Sequence, residues 1–192
     1  MRIRTQLARK RRADKMRDTL DTGFKMAMFD PLTGLHNRRY GLHHLDLVAT
    51  RCRAQGIRAG VIAMDIDHFK QVNDTHGHPV GDSVLARVAQ VLRDSLRSED
   101  LVARIGGEEF LAILPDADLA QVRIVAERLR SAVETMQVPL PGGAPLSVTL
   151  SLGVAMLENR ENAGSEVLCR ADRALYSAKD GGRNRVQLAT PD

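Results

Sequence analysis

The run Val61-Ile-Ala-Met-Asp-Ile-Asp67 constrains the fold of this chain more than any other segment. It is apolar until its end, as a buried strand should be. Yet the run ends in acids. Side chains alternate across a strand, so Asp65 and Asp67 point the same way at its end. Charge buried there is costly unless something positive compensates it. A second acidic strand end follows Gly106-Gly107, at Glu108-Glu109. The glycines of that turn let a ligand come close to the backbone. Carboxylates from two segments meeting at one sheet edge form a hard-oxygen site, suited to Mg²⁺ with phosphates completing the shell. Two such ions can polarise a phosphate and lower the pKa of an attacking hydroxyl. Either cluster alone reads as exposed turn acids; the pair, each tied to a strand end, favours the metal site.

The remaining pattern supplies the helices. Residues 1–28 predict one helix whose Met16, Leu20, Phe24 and Ala27 form a weak apolar stripe able to pair with a second copy. Asp30-Pro31 breaks it. A helix capped near Asn37 runs to about Gln55. A polar stretch, His68 to Asp82, leads into Val80, Val84, Leu85, Val88, Val91, Leu92 and Leu96 at helical spacing. Leu101–Ile105 and Phe110–Leu114 predict a β-hairpin. Helices are expected at Ala117–Met136 and Val167–Lys179. Pro139–Pro145 reads as a turn, Leu146–Met156 as a strand or bent strand pair, and Val186–Leu188 as a terminal strand. The class is α/β with a mixed sheet.

Charge is distributed unevenly. Residues 1–17 carry eight Lys or Arg and one acid, so of a net +4 the first 17 residues hold +7 and residues 18–192 hold −3. A duplex-binding protein needs its basic charge on the folded body, so nucleic acid is not an expected partner. Cys52 and Cys169 stand alone, without metal or disulfide spacing, and read as small buried or half-buried side chains of a cytoplasmic protein. The N-terminus has no apolar run of a secretory signal. The six histidines show no ligand spacing, and His78 reads as a structural loop residue.

Gly106-Gly107-Glu108-Glu109-Phe110 resembles the signature of GGDEF domains, in its GGEEF form. Three further stretches match in order. Asp30-Pro-Leu-Thr-Gly-Leu-His-Asn-Arg-Arg-Tyr40 resembles the family's opening motif. Asp65-Ile-Asp-His-Phe-Lys-Gln-Val-Asn-Asp74, with Gly77-His78 and Gly81-Asp82, resembles its first metal motif. Ala171-Asp-Arg-Ala-Leu-Tyr-Ser-Ala-Lys179 with Gly182-Arg-Asn184 resembles its closing motif. The resemblance implies a catalytic domain over residues 29–190, preceded by a helix or linker over 1–28 with a possible part in dimerisation. It implies a nucleotidyl cyclase-like core: a five-stranded central mixed sheet surrounded by helices, with the signature on a β-hairpin.

It also implies a diguanylate cyclase, which condenses two GTP into cyclic di-GMP and releases pyrophosphate, with two Mg²⁺ or Mn²⁺ ions per site. Carried over, Asp65, Glu108 and Glu109 bind metal by carboxylates and Ile66 by its carbonyl. Glu108 is catalytic, helping to deprotonate the ribose 3′-hydroxyl, and Lys70 joins it. Asn73 and Asp82 bond the guanine. The backbone at His68 and Phe69, with Lys70, Lys179 and Arg183, holds the phosphates. Arg97 and Asp100 form an Arg-x-x-Asp where many members bind their own product and shut down, with Arg128 as a third contact. A homodimer is implied for catalysis, and a sensory or receiver domain upstream if the chain is a fragment. The alternative is a catalytically silent effector that binds cyclic di-GMP at Arg97, Asp100 and Arg128.

Overall fold

The computed structural model describes residues 28–140, 143–157 and 164–190. In chain order the elements are α1 (Arg38–Gln55), β1 (Ala59–Ile66), α2 (Phe69–His76), α3 (His78–Asp94), β2 (Leu101–Arg104), β3 (Glu109–Pro115), α4 (Leu119–Thr135), β4 (Leu150–Met156), α5 (Gly164–Asp180) and β5 (Val186–Leu188). The strands form one five-stranded sheet in the order β2-β3-β1-β4-β5. β5 runs parallel to β4 and every other pairing is antiparallel. The expected mixed sheet, with the signature on the β2–β3 hairpin, is what forms.

β1 lies at the centre and all of it is buried. Ile62, Met64 and Ile66 face a core completed by α2, α3 and α4, whereas Val61 and Ala63 face a second core completed by α1 and α5. This two-sided cover explains the unbroken apolar run. Local chemistry sets the helix ends. The Asn37 side chain accepts from the Tyr40 N–H at 3.0 Å and starts α1, and Asp118 and Gln121 form a reciprocal capping box at the start of α4. At Gly153 the helix α5 lies directly on β4. A Cβ there would run into the Ala171 carbonyl and the Leu175 backbone. That close approach sets where the last turn of α5 ends up.

Three expectations change. The polar stretch after β1 contains a helix, α2, only eight residues long, whose buried face holds just Phe69 and Val72. Leu146 pairs with Val138, with N–H···O bonds of 2.9 and 2.8 Å in both directions, and β4 starts at Leu150. Cys52 is buried, but Cys169 is exposed. The buried stripe of α5 runs through Val167, Ala171, Ala174 and Ala178, and Cys169 falls opposite it. The helix read over residues 1–28 lies, except for Met28, outside the described residues.

Candidate active site

Pairing of β1 with β3 sets Asp65 opposite Glu109. The Ile66 N–H donates to the Glu108 carbonyl at 3.3 Å, which draws the hairpin turn onto the end of β1. Carboxylates from two segments therefore converge at one sheet edge. Lys179, in the last turn of α5, reaches the same point: its Nζ lies 2.8 Å from Asp65 Oδ2. Burial pushes the Asp65 carboxyl above its ordinary range; Lys179 opposes this, while Glu109 and Asp67 add to it. Burial also raises Glu108, with Asp65 the next contributor. These acids repel one another, and one ammonium does not relieve them all.

The turn is held from behind. The Arg104 guanidinium donates from Nη1 to both Asp30 carboxylate oxygens at 3.1 and 3.3 Å. It also donates from Nε and Nη2 to the Gly107 carbonyl at 3.2 and 2.8 Å. Arg38 Nη1 donates to the Ile105 carbonyl at 2.7 Å. Burial alone would raise the Asp30 carboxyl, but bonds from the Thr33 hydroxyl and amide, then from Arg104, outweigh it and hold it below its ordinary range. The glycines of the turn serve different ends. Glu109 folds its carboxylate back over Gly106, in the space a Cβ would fill. Gly107 has nothing within 4 Å of its missing Cβ, so no neighbour in the protein requires a glycine there.

Asp67 shares the face of Asp65 but is fully engaged. Its carboxylate accepts from the Thr149 hydroxyl (2.7 Å), the Ser151 hydroxyl (2.6 Å) and the Asn184 backbone N–H (3.0 Å). No periodicity linked Asp30, Arg38, Arg104, Thr149, Ser151 and Asn184 to this corner. They lie up to 117 positions from the groups they bond, and their link is tertiary.

The other candidate residues fall into groups. His68 ends the β1 connection in the left-handed region at φ 57° and leads straight into α2, whose first residues are the buried Phe69 and exposed Lys70. Asn73 lays its amide oxygen where a Cβ of Gly81, the residue before Asp82, would stand. Arg183 follows α5 in the left-handed region at φ 62°. Away from the acids, Arg97, Asp100 and Arg128 line one cavity of about 130 Å³, with Ile124 among its walls. Asp100 accepts from the Arg97 backbone N–H at 3.0 Å, and Arg128 Nη2 donates to the Ser95 carbonyl at 2.7 Å.

Among the described residues no three His, Cys, Asp or Glu side chains close around one point as a metal shell. The donor set still fits a divalent cation. Asp65, Glu108 and Glu109 supply hard oxygens, and their mutual repulsion is what a cation relieves. Ligands missing from the protein side would be water and phosphate oxygens, as Mg²⁺ commonly retains.

Residues 27–185 match the family described as "Diguanylate cyclase, GGDEF domain". This chain belongs to that family. GGDEF relatives align along most of it. The response regulator PleD of Caulobacter vibrioides is 42% identical over 186 residues, covering 96% of this chain and 41% of PleD. The probable diguanylate cyclase DgcT of Escherichia coli is 44% identical over 158 residues, covering 82% of this chain and 34% of DgcT. The chain thus spans less than half the length of these curated relatives. A crystal structure of the coiled coil and GGDEF domain of DgcB from Caulobacter crescentus, in complex with c-di-GMP, superposes with a TM-score of 0.88 at 33% identity, covering 98% of this chain and 100% of that one.

Proposed function

We propose that this GGDEF domain is an active diguanylate cyclase. The observation that carries the reading is the convergence of Asp65, Glu108 and Glu109 with Lys179 at one sheet edge. Asp65, Glu108 and Glu109, with the Ile66 carbonyl, would hold two Mg²⁺ or Mn²⁺ ions, which supply charge neutralisation at the phosphates and acidify a bound hydroxyl. Lys70, Lys179, Arg183 and the backbone at His68 and Phe69 hold the triphosphate. Asn73 and Asp82 hold the guanine, whose N1 and N2 hydrogens a carboxylate can accept. The open face over Gly107 leaves room for the nucleotide to approach the backbone.

Glu108 takes the proton of the ribose 3′-hydroxyl, and its raised pKa suits that role. The oxygen attacks the α-phosphorus of a GTP held by a second copy of the domain; an O–P bond forms, the α–β phosphoanhydride breaks, and pyrophosphate leaves. The reciprocal step closes the ring. One domain carries one such site, so a homodimer facing its two sites together provides the second half. If the chain is a fragment, a sensory or receiver domain upstream would act by setting that proximity. Arg97, Asp100 and Arg128 form a second site, where the cyclic product binds and stops the reaction; an arginine can stack on guanine and a carboxylate can accept from it.

Incubation with GTP and Mg²⁺, followed by chromatography for cyclic di-GMP, tests the enzyme. Product that vanishes in Glu108→Ala supports it. Absence of turnover, with tight binding of cyclic di-GMP lost in Arg97→Ala, would mark the domain as a silent effector instead.

A further inference from the structure

The turn after α5 is built in a way the catalytic reading does not use. Arg183 and Asn184 are consecutive non-glycine residues at positive φ, 62° and 46°. L-residues adopt this region sparingly, and it persists where the surroundings impose it. Here Asn184 is held at three points. Its backbone N–H donates to Asp67 at 3.0 Å. Its side-chain oxygen accepts from Arg130 Nη1 at 2.8 Å, and its side-chain amide donates to Glu134 Oε1 at 2.7 Å. Arg130 and Glu134 are themselves paired at 2.9 Å on α4, and Arg130 also binds Glu127 at 2.7 Å. Bonds from the Asn184 amide and then Arg130 hold the Glu134 carboxyl below its ordinary range. Among the described residues Arg183 itself is bound through its backbone: its N–H donates to the Ala178 carbonyl at 3.0 Å, and its carbonyl accepts from Arg185 Nε at 3.2 Å.

An asparagine clamped between two helix side chains and a buried carboxylate fixes the residue next to it. Through Asp67 the clamp is tied to the end of β1, within two residues of Asp65. We propose that Asn184 is a positioning residue, which with Arg130, Glu134 and Asp67 aims the Arg183 side chain at the phosphate end of the site. This rests on the reading of Arg183 as a triphosphate ligand. The arrangement gives the site a rigid cationic corner whose direction is set from α4.

The test is a double-mutant cycle on the full chain with Asn184→Gly and Arg183→Ala. Glycine keeps the left-handed backbone and the bond to Asp67 and removes only the side-chain clamp. The probes are the α,β-methylene analogue of GTP, which cannot release pyrophosphate, and GMP, each titrated with Mg²⁺ by calorimetry. Asn184→Gly is expected to weaken the triphosphate about tenfold while GMP affinity and Tm stay near wild type. In the Arg183→Ala background it should add less than about twofold, because its effect runs through Arg183. Asn184→Asp, which sets a like charge against Glu134, should behave as Asn184→Gly does. Equal losses for the triphosphate and GMP, no loss in either variant, or an independent loss in the double variant would overturn the proposal. A wild-type protein that binds the triphosphate no better than GMP, in turn, removes the substrate reading and this inference with it.

Discussion

Two acids end β1 on the same face, and their surroundings differ. The corner around Asp67 is closed: two hydroxyls and a backbone N–H occupy its carboxylate, all within the fold. The corner around Asp65 is open: a nearly buried carboxylate meets one ammonium and two more acids, and its pKa rises. A carboxylate that is hydrogen-bonded stabilises a fold, whereas one crowded by like charge costs it stability and gains when a cation arrives. The contrast separates an acid whose carboxylate is saturated within the fold from acids left to repel one another.

Mutations at the two corners should therefore differ in kind. The largest effect is expected on turnover. Glu108→Ala and Asp65→Ala should lower the initial rate on the order of a thousandfold or more. Asp65 has a raised folded pKa, so its ionised form opposes folding at neutral pH and that cost is relieved on acidification. Asp65→Ala should accordingly leave urea stability at pH 7 nearly intact. Next in size, Asp67→Ala strands three donors and should cost about 3 kcal/mol of stability by urea denaturation. Equal stability losses at 65 and 67 would erase the distinction between the corners.

A smaller effect tests the remote cavity. Arg97→Ala or Asp100→Ala should weaken inhibition by cyclic di-GMP about tenfold, worth about 1.4 kcal/mol, with the initial rate unchanged. Inhibition that persists in both variants would reject the assignment. The smallest effect is expected at Asp30, the other satisfied acid beside the turn. Its folded pKa lies below the ordinary 3.8, so its contribution is present above that value and disappears as pH falls through the lower one. Asp30→Asn should cost about 1 kcal/mol at neutral pH, and its Tm gap from wild type should close below about pH 4. A gap independent of pH would mean that the charge of Asp30 is not what matters.

Much of this contrast could be read from the chain, and part could not. The Val61–Asp67 run and the Gly106–Glu109 turn announced two acidic strand ends because β periodicity and turn chemistry act over a few residues. The same holds for Asn37 as a helix cap and for the hairpin. Helix α2 escaped notice because it packs one face of only two apolar side chains between a strand end and a tight turn. The different roles of Asp65 and Asp67 were also invisible, since both sit in one Asp-x-Asp. What separates them is β4 and the turn after α5, some eighty to a hundred and seventeen positions away. Arg97, Asp100 and Arg128 were read together through family resemblance. Their meeting around one cavity depends on α4 folding back beside the loop after α3.

Arg104 has a mechanical consequence. One rigid, planar guanidinium grips the carboxylate of Asp30 on one side and the carbonyl of Gly107 on the other. A tug on the backbone at residue 30 is thereby coupled to the tip of the hairpin, as well as to the local turn that holds Thr33. The fold thus has a short lever whose handle is residue 30 and whose far end is the loop bearing Glu108.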